Sequence, residues 1–410
     1  MNGLRIYEQA DRLARRGATL PGPSRLRIGL VIERFDPQRG GVEQWTWQFA
    51  RWMLAAGHEP HVFARSFSPE AIGVGIVPHL VPPCRSRVAY AAAVEQELRR
   101  HDLDVVHDNG YGWSCDVFQP HGGSRRASFE QNLLLSPLLI RGIKRQAARW
   151  LTRHDEFRQL VDRQYRDRDR IYMLISRMVA DHMQRYHGVP ASQMRLVYNG
   201  VDLVRFSPEH RDEYRRGIRK QLGIRDQQVM LLIVAHNFRL KGVRTLMRAA
   251  ARLSAAGKDL HVVVVGGKHL DFWRRRARWL GLAERISFLG RIDDPVPYYA
   301  AADAYVQPTF YDPCSLVVLE ALASGLPVVT SQFNGVSELL TQGREGYVIL
   351  DPADHRELAE ALLPMFNPTR RTAMGNAARA LALHHPLERN CREILEVYQE
   401  VVSRKIARAA

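Results

Sequence analysis

The feature that most restricts the fold is a pattern that occurs twice: an apolar strand, a loop, a helix and a second apolar strand. Leu26 to Ile32 reads as a near-continuous buried strand, as in a parallel sheet. The loop from Glu33 ends in the pair Gly40-Gly41, and Val42 to Ala56 is helical. Gly57-His58 stops that helix, and Pro60 to Ala64 is the next strand. The plan recurs with strand Val229 to Ala235, loop His236 to Gly242, helix Val243 to Ala255 and strand His261 to Val265. Parallel neighbours need such crossover helices. A chain of 410 residues is also too long for one ordinary core. The expectation is therefore an α/β protein with two Rossmann-like parallel-sheet domains. An N-terminal extension over 1–24, ending in the linker Leu20 to Ser24, precedes the first strand.

Ligands of parallel α/β sheets sit at the carboxyl ends of strands. In the first half, the strand Asp104 to His107 runs into Asp108-Asn109-Gly110, and Val117 to Pro120 runs into His121-Gly122-Gly123. His121 on such a loop is placed for the cleft, although a structural imidazole fits the same spacing. The first strand lacks G-x-G-x-x-G, which weighs against a dinucleotide cofactor. In the second half, Arg239 and Lys241 precede a helix start, which together form a phosphate clamp.

The densest stretch is Phe310 to Leu340. Asp312-Pro313 is a helix-start signal, Ser315 to Ala323 is helix-compatible, and Ser324-Gly325 caps the end. Leu326 to Thr330 follows as a short buried strand, and Asn334-Gly335 as a turn that opens another helix. Asp312 and Glu320 are separated by roughly 12 Å of helical rise. A retaining hydrolase holds its carboxylates about 5 Å apart. The wider spacing suits gripping two ends of one long ligand, such as a sugar and a ribose. Spacing alone leaves open that Glu320 is ordinary packing and Asp312 a cap.

The net charge of +16 is uneven. Residues 1–220 hold 35 Lys and Arg against 24 Asp and Glu, and the remainder 24 against 19. A basic first half favours an anionic partner such as a membrane surface or an acidic glycan. The segment from Leu133 to Leu151 mixes apolar and basic residues around Trp150 at near-helical spacing, as an interfacial helix does. A core-facing helix with a solvated basic face has the same pattern. No nucleic-acid-binding motif is present, so no nucleic acid partner is expected. Met1 to Arg16 is polar and charged, and no apolar run approaches the roughly 20 residues of a membrane span. Cys84, Cys115, Cys314 and Cys391 form no C-x-x-C pair. These features favour a reducing, cytoplasmic location. The Asp102-Leu103-Asp104 and Asp167-Arg168-Asp169 triplets lack a strand–turn setting, so no metal is expected.

In combination and order, five motifs resemble the retaining glycosyltransferases of family 4, which have the two-domain GT-B fold. They are Gly40-Gly41, Asn199-Gly200-Val201-Asp202, Lys241-Gly242, Asp312 with Glu320 eight residues on, and Gly325-Leu326-Pro327-Val328-Val329. The resemblance covers about residues 26–385 and implies two facing Rossmann-like domains with a cleft between them: a first domain over 25–205, a second over 206–385, and a C-terminal helix over 386–410 that crosses back to the first. It implies that the first domain binds acceptor and the second a nucleotide diphosphate sugar. Lys241 and Arg239 would stabilise the leaving diphosphate, and Asp312 and His121 would contact the sugar. Glu320 would hold the ribose, and the amides near Ser315 and Leu316 the diphosphate. Gly40 and Gly41 would let backbone approach the donor, with Asn199 at the handover between domains and the turn at Arg291 near the nucleobase. The family usually has Glu at the position of Asp312 and Gly at that of Ser315. It usually has Arg where this chain has His236, and the shortened loop is similar to that of the lipopolysaccharide core glucosyltransferase branch. The resemblance implies a hexosyltransferase using a UDP-sugar without cofactor or metal. Its acceptor would be a lipopolysaccharide core or another lipid-linked glycan, at the inner face of the cytoplasmic membrane. A soluble small-molecule or exopolysaccharide acceptor is the alternative.

Overall fold

The computed structural model describes residues 25–72, 75–136, 138–147 and 152–410. The extension over 1–24, with its expected short helix, lies outside the described residues, as does Trp150.

Two all-parallel sheets form the frame. The first contains β1 (Arg27–Val31), β2 (Glu59–Ala64), β3 (Val77–Leu80), β4 (Val105–Asp108), β5 (Val117–Phe118), β6 (Ile171–Leu174) and β7 (Met194–Leu196), in the order β3-β2-β1-β4-β5-β6-β7. The second contains β8 (Val229–Ala235), β9 (Leu260–Gly266), β10 (Ile286–Gly290), β11 (Ala304–Gln307), β12 (Val328–Ser331) and β13 (Gly346–Ile349), in the order β10-β9-β8-β11-β12-β13. Central strands such as β8 and β9 are near-continuous apolar runs, as expected of a parallel sheet covered on both faces. The order reverses between β1 and β4 in the first sheet and between β8 and β11 in the second, and such switch points open a crevice. The loops after β1 and β8 are therefore set beside those crevices.

Four helices position the site: α1 (Gly41–Ala55), α2 (Val243–Ala255), α3 (Leu316–Ala323) and α4 (Leu387–Ala409). α1 and α2 start at the glycine pair and at Gly242. Gly242 has φ 77°, and a Cβ there would lie 2.1 Å from the Pro308 carbonyl oxygen, so the residue after Lys241 must be glycine. α4 returns to the first sheet, where Cys391, Ile394 and Tyr398 share a core with Ile28, Leu30 and Trp45. Tyr398 hydroxyl and His107 Nδ1 are 2.6 Å apart. Another core runs through both domains, from Tyr172 and Val179 by way of Phe206 to Tyr299, Val318 and Leu322.

Two sequence expectations are corrected here. Asp312 and Pro313 do not start the helix: α3 begins at Leu316 with Ser315 as its N-cap residue. The Asp312 backbone instead pairs with the next loop, its N–H donating to Phe333 O and its carbonyl accepting from Gly335 N–H. The basic apolar segment is two helices, Arg125–Leu134 and Leu138–Ala147, rather than one. Arg141 reaches back to the Ser136 and Leu134 carbonyls and so stabilises the break.

Candidate active site

The two halves of the site meet across the cleft. A Cβ on Gly41 would lie 3.2 Å from Leu316 Cδ1, so the glycine pair at the start of α1 faces the start of α3. Both helix N-termini thus converge, with their unpaired N–H groups and positive dipole ends. Arg291, on the turn after β10, donates to the Gln38 carbonyl at 3.2 Å and ties the same loop to the second domain.

Lys241 and Asp312 form the charged centre. Lys241 Nζ donates to Asp312 Oδ2 at 2.5 Å, with the two side chains 20% and 12% exposed. Arg239, two residues before, is exposed. Ser315 does not aim its hydroxyl at a ligand: it donates to Gln307 Oε1 at 3.0 Å, which also accepts from Asn334 Nδ2 at 3.2 Å. This buried network fixes the loop that carries Asp312.

Glu320 lies on the second turn of α3. Tyr299 hydroxyl donates to its Oε2 at 2.9 Å. Burial raises the Glu320 pKa above its ordinary value, and the Tyr299 bond opposes that shift. A carboxylate held this way remains an acceptor for vicinal hydroxyls while having its orientation set from behind.

His121 comes from the first domain. Its loop reaches the second through Gly123, where a Cβ would lie 2.3 Å from the Tyr311 hydroxyl oxygen and 2.9 Å from Pro313 Cγ. The ring centroid is 4.5 Å from that of Trp45, and its Nε2 is buried with no hydrogen-bond partner. Burial lowers its pKa to about 3, so the imidazole is neutral near pH 7. Trp45 is itself held by Asn390 of α4, 2.9 Å from its Nε1.

Asn199 lies at the handover between the two domains. Its Nδ2 donates to the Cys314 carbonyl at 2.9 Å, while its Oδ1 is buried and unpartnered. It joins the first domain to the loop bearing Asp312. Gly200 beside it packs on α4, where a Cβ would lie 2.6 Å from Leu387 Cα. Asn199-Gly200 is therefore a junction of both domains and the last helix.

Sequence reasoning missed Tyr299 and Glu338. Glu338 accepts the Arg177 and Met178 N–H groups at 2.7 and 3.1 Å and the Tyr198 hydroxyl at 2.5 Å. A second-domain carboxylate thus caps a first-domain helix, Arg177–His187. No local pattern marks it, because its partners lie some 140 to 161 residues away. The carboxylates of the two Asp triplets are engaged elsewhere, Asp102 with Arg27 and Asp169 with Arg408. Among the described residues, one group has ligand atoms close enough for a metal ion: His79, Glu97 and His101, beside edge strand β3.

Two facing parallel-sheet domains, with helix N-termini and a lysine converging on the cleft, define a glycosyltransferase of the GT-B fold. Residues 39–205 match Glycosyltransferase Family 4 and residues 228–367 match Glycosyl transferases group 1, and the chain belongs to this family. The lipopolysaccharide glucosyltransferase WaaG of Escherichia coli K12 is 26% identical over 328 residues, 79% of this chain and 85% of that protein. A solved WaaG structure has a TM-score of 0.76 at 22% identity and covers 90% of this chain and 99% of its own. The D-inositol 3-phosphate glycosyltransferase of Thermobifida fusca is 32% identical over 239 residues, 54% of this chain and 53% of that protein. The match therefore spans about half the length of that relative. Anabaena HepE, solved with UDP-glucose, has a TM-score of 0.69 at 19% identity, covering 92% of this chain and all of its own. Among the described residues, no helix is long and apolar enough to cross a membrane.

Proposed function

We propose that this chain is a retaining hexosyltransferase that takes its sugar from a UDP-sugar, such as UDP-glucose, without a metal. The acceptor is a lipopolysaccharide core or another lipid-linked glycan. The observation that carries the reading is the meeting of Gly41 with Leu316 beside the Lys241–Asp312 pair. A diphosphate seated there lies against two helix starts, with Lys241 and Arg239 to take up charge as the glycosidic bond breaks. Glu320, oriented by Tyr299, accepts the ribose hydroxyls. Asp312 and the neutral His121 accept and donate to the sugar. No protein nucleophile is assigned. Cleft closure excludes water and suppresses donor hydrolysis.

The acceptor side of the reading draws on the WaaG likeness and on surface chemistry. Ile140 and Ile143 are 42% and 69% exposed on a helix that also carries Arg141, Lys144 and Arg145. An apolar and basic face of this kind suits the inner surface of an anionic membrane. A second reading, a soluble phosphorylated acceptor, is favoured by the relative named for D-inositol 3-phosphate.

Calorimetry with UDP, GDP, UDP-glucose, UDP-N-acetylglucosamine and GDP-mannose, with chelator present, tests the donor. Tight binding of a UDP-sugar that is lost in Lys241→Ala is expected. Binding only after a divalent metal is restored would overturn the metal-free mechanism. Vesicle sedimentation and turnover on lipid-linked against soluble glycans decide the acceptor.

A further inference from the structure

A large concavity lies beside the donor site. It encloses 1060 Å³ between the domains, with Leu134, Leu135 and Ser136 of the first domain along it. Arg239 of the phosphate loop lines it, as do Arg244 and Arg248 of α2, with Lys268 and Arg276 beyond them. No carboxylate lines it, and none of these five cations has an ion pair or a side-chain hydrogen bond among the described residues. Arg239, Arg244 and Lys268 are exposed and Arg248 and Arg276 half-buried, whereas the buried Arg219, with Arg215 and Arg371, converges on Asp303. Arg276 Nε is buried without a partner. Burial, then the charges of Arg248, Arg276 and Arg239, holds the Arg244 pKa below its ordinary value. Like charges gathered in one partly desolvated cavity repel, and a multivalent anion reverses the sign of that interaction.

This cavity is not the ribose side of the donor site. Its Phe238 and Trp273 belong to the core under α2, whereas Tyr299, which holds Glu320, belongs to the core shared between domains. Arg239 stands at the border of the two. Phe272, 50% exposed, and Phe310 add an apolar wall suited to a sugar ring.

The geometry points to a second anion site, in which the cavity receives a phosphate group carried by the acceptor and holds it beside the donor diphosphate. The inference rests on the glycosyltransferase reading above. Planar guanidiniums bind phosphate bidentately, so several around one cavity give orientation as well as affinity.

The test is calorimetry on the full chain saturated with UDP, then titrated with inorganic pyrophosphate. Wild type, Arg244→Gln/Arg248→Gln and Arg276→Gln are compared, and unchanged UDP affinity shows that the variants fold. Pyrophosphate should bind the UDP-loaded wild type, and the double variant should weaken it by about tenfold or more. UDP affinity should change by less than about twofold, since neither arginine lies on the diphosphate. UDP binding without pyrophosphate binding, or pyrophosphate binding unaffected by either variant, overturns this inference alone. A wild type that binds no UDP overturns the UDP-donor reading and this inference with it. Phosphatidylglycerol vesicles separate the sources. Sedimentation lost in the double variant, with no pyrophosphate binding, assigns the cations to a lipid surface and refutes an acceptor phosphate.

Discussion

The Lys241–Asp312 pair can be tested by a double-mutant cycle whose size follows from its geometry. The charges are 2.5 Å apart, and the whole Asp312 residue is 8% exposed. Coulomb's law at an effective dielectric of about 20 gives a gross attraction of about 6–7 kcal/mol at that separation. Desolvation of both groups returns most of this, and such charge-assisted bonds retain about 1.5–3 kcal/mol net. Lys241→Ala strands a buried carboxylate, so its expected cost is about 2–4 kcal/mol of unfolding free energy. Asp312→Asn costs less, about 1 kcal/mol, because the lysine chain is flexible and turns its ammonium toward solvent. The double variant strands neither charge, and the cycle should return a coupling of about 1.5–3 kcal/mol. Urea unfolding of the four proteins gives these values from their midpoints and slopes. A coupling below about 0.5 kcal/mol would refute the pair as an energetic unit. The cycle also probes function. Freed from Asp312, Lys241 should bind UDP at least as tightly in Asp312→Asn, while turnover of the UDP-sugar falls about 10²-fold. Loss of UDP binding in Asp312→Asn would show that the carboxylate, not the lysine, positions the diphosphate.

Four further outcomes are expected. Glu320 has a raised folded pKa, so its contribution to folding improves as pH falls from above that pKa toward its unfolded value. For the same reason UDP affinity should drop on acidification at a pH above the ordinary carboxylate range. Tyr299→Phe should move that drop higher, and Glu320→Gln should remove it; calorimetry across pH checks both. His121, neutral with its pKa lowered to about 3, should contribute no limb to the pH–rate profile between about pH 5 and 8. A limb in that range that disappears in His121→Asn would contradict its burial. Gly41→Val should lower turnover by about tenfold or more by wedging Leu316, whereas Gly41→Ala, with its Cβ at 3.2 Å, should cost about threefold. Gly335→Ala would place a Cβ 1.8 Å from the Pro313 carbonyl oxygen and should lower unfolding free energy by about 3 kcal/mol or more, read from denaturant midpoints.

Much of the scaffold was legible from the chain alone. The apolar runs Leu26 to Ile32 and Val229 to Ala235, each followed by a glycine-ended loop and an amphipathic helix, prescribe parallel strands with crossovers, and β1, β8, α1 and α2 form there. The need for glycine after Lys241 was visible as a Lys-Gly pair, although its cause, the Pro308 carbonyl, was not. The start of α3 was misplaced because Asp312-Pro313 carries a strong local cap signal. The backbone of Asp312 is instead claimed by Phe333 and Gly335. Tertiary pairing outweighed local preference there.

The sequence by itself determined the periodic elements, their order and the charged residues available at their ends. Only the tertiary structure decided which of those residues meet. Asn199 bonds Cys314 from 115 residues away, Tyr198 bonds Glu338 from 140, and α4 supplies Asn390 to Trp45 from 345. The cations of the second cavity likewise come from separate loops and helices. Hydrophobic periodicity is a property of neighbours along the chain, because each strand or helix repeats its exposure every two or 3.6 residues. Contacts across the cleft arise when separate buried faces pack, and no short window of sequence carries their partners.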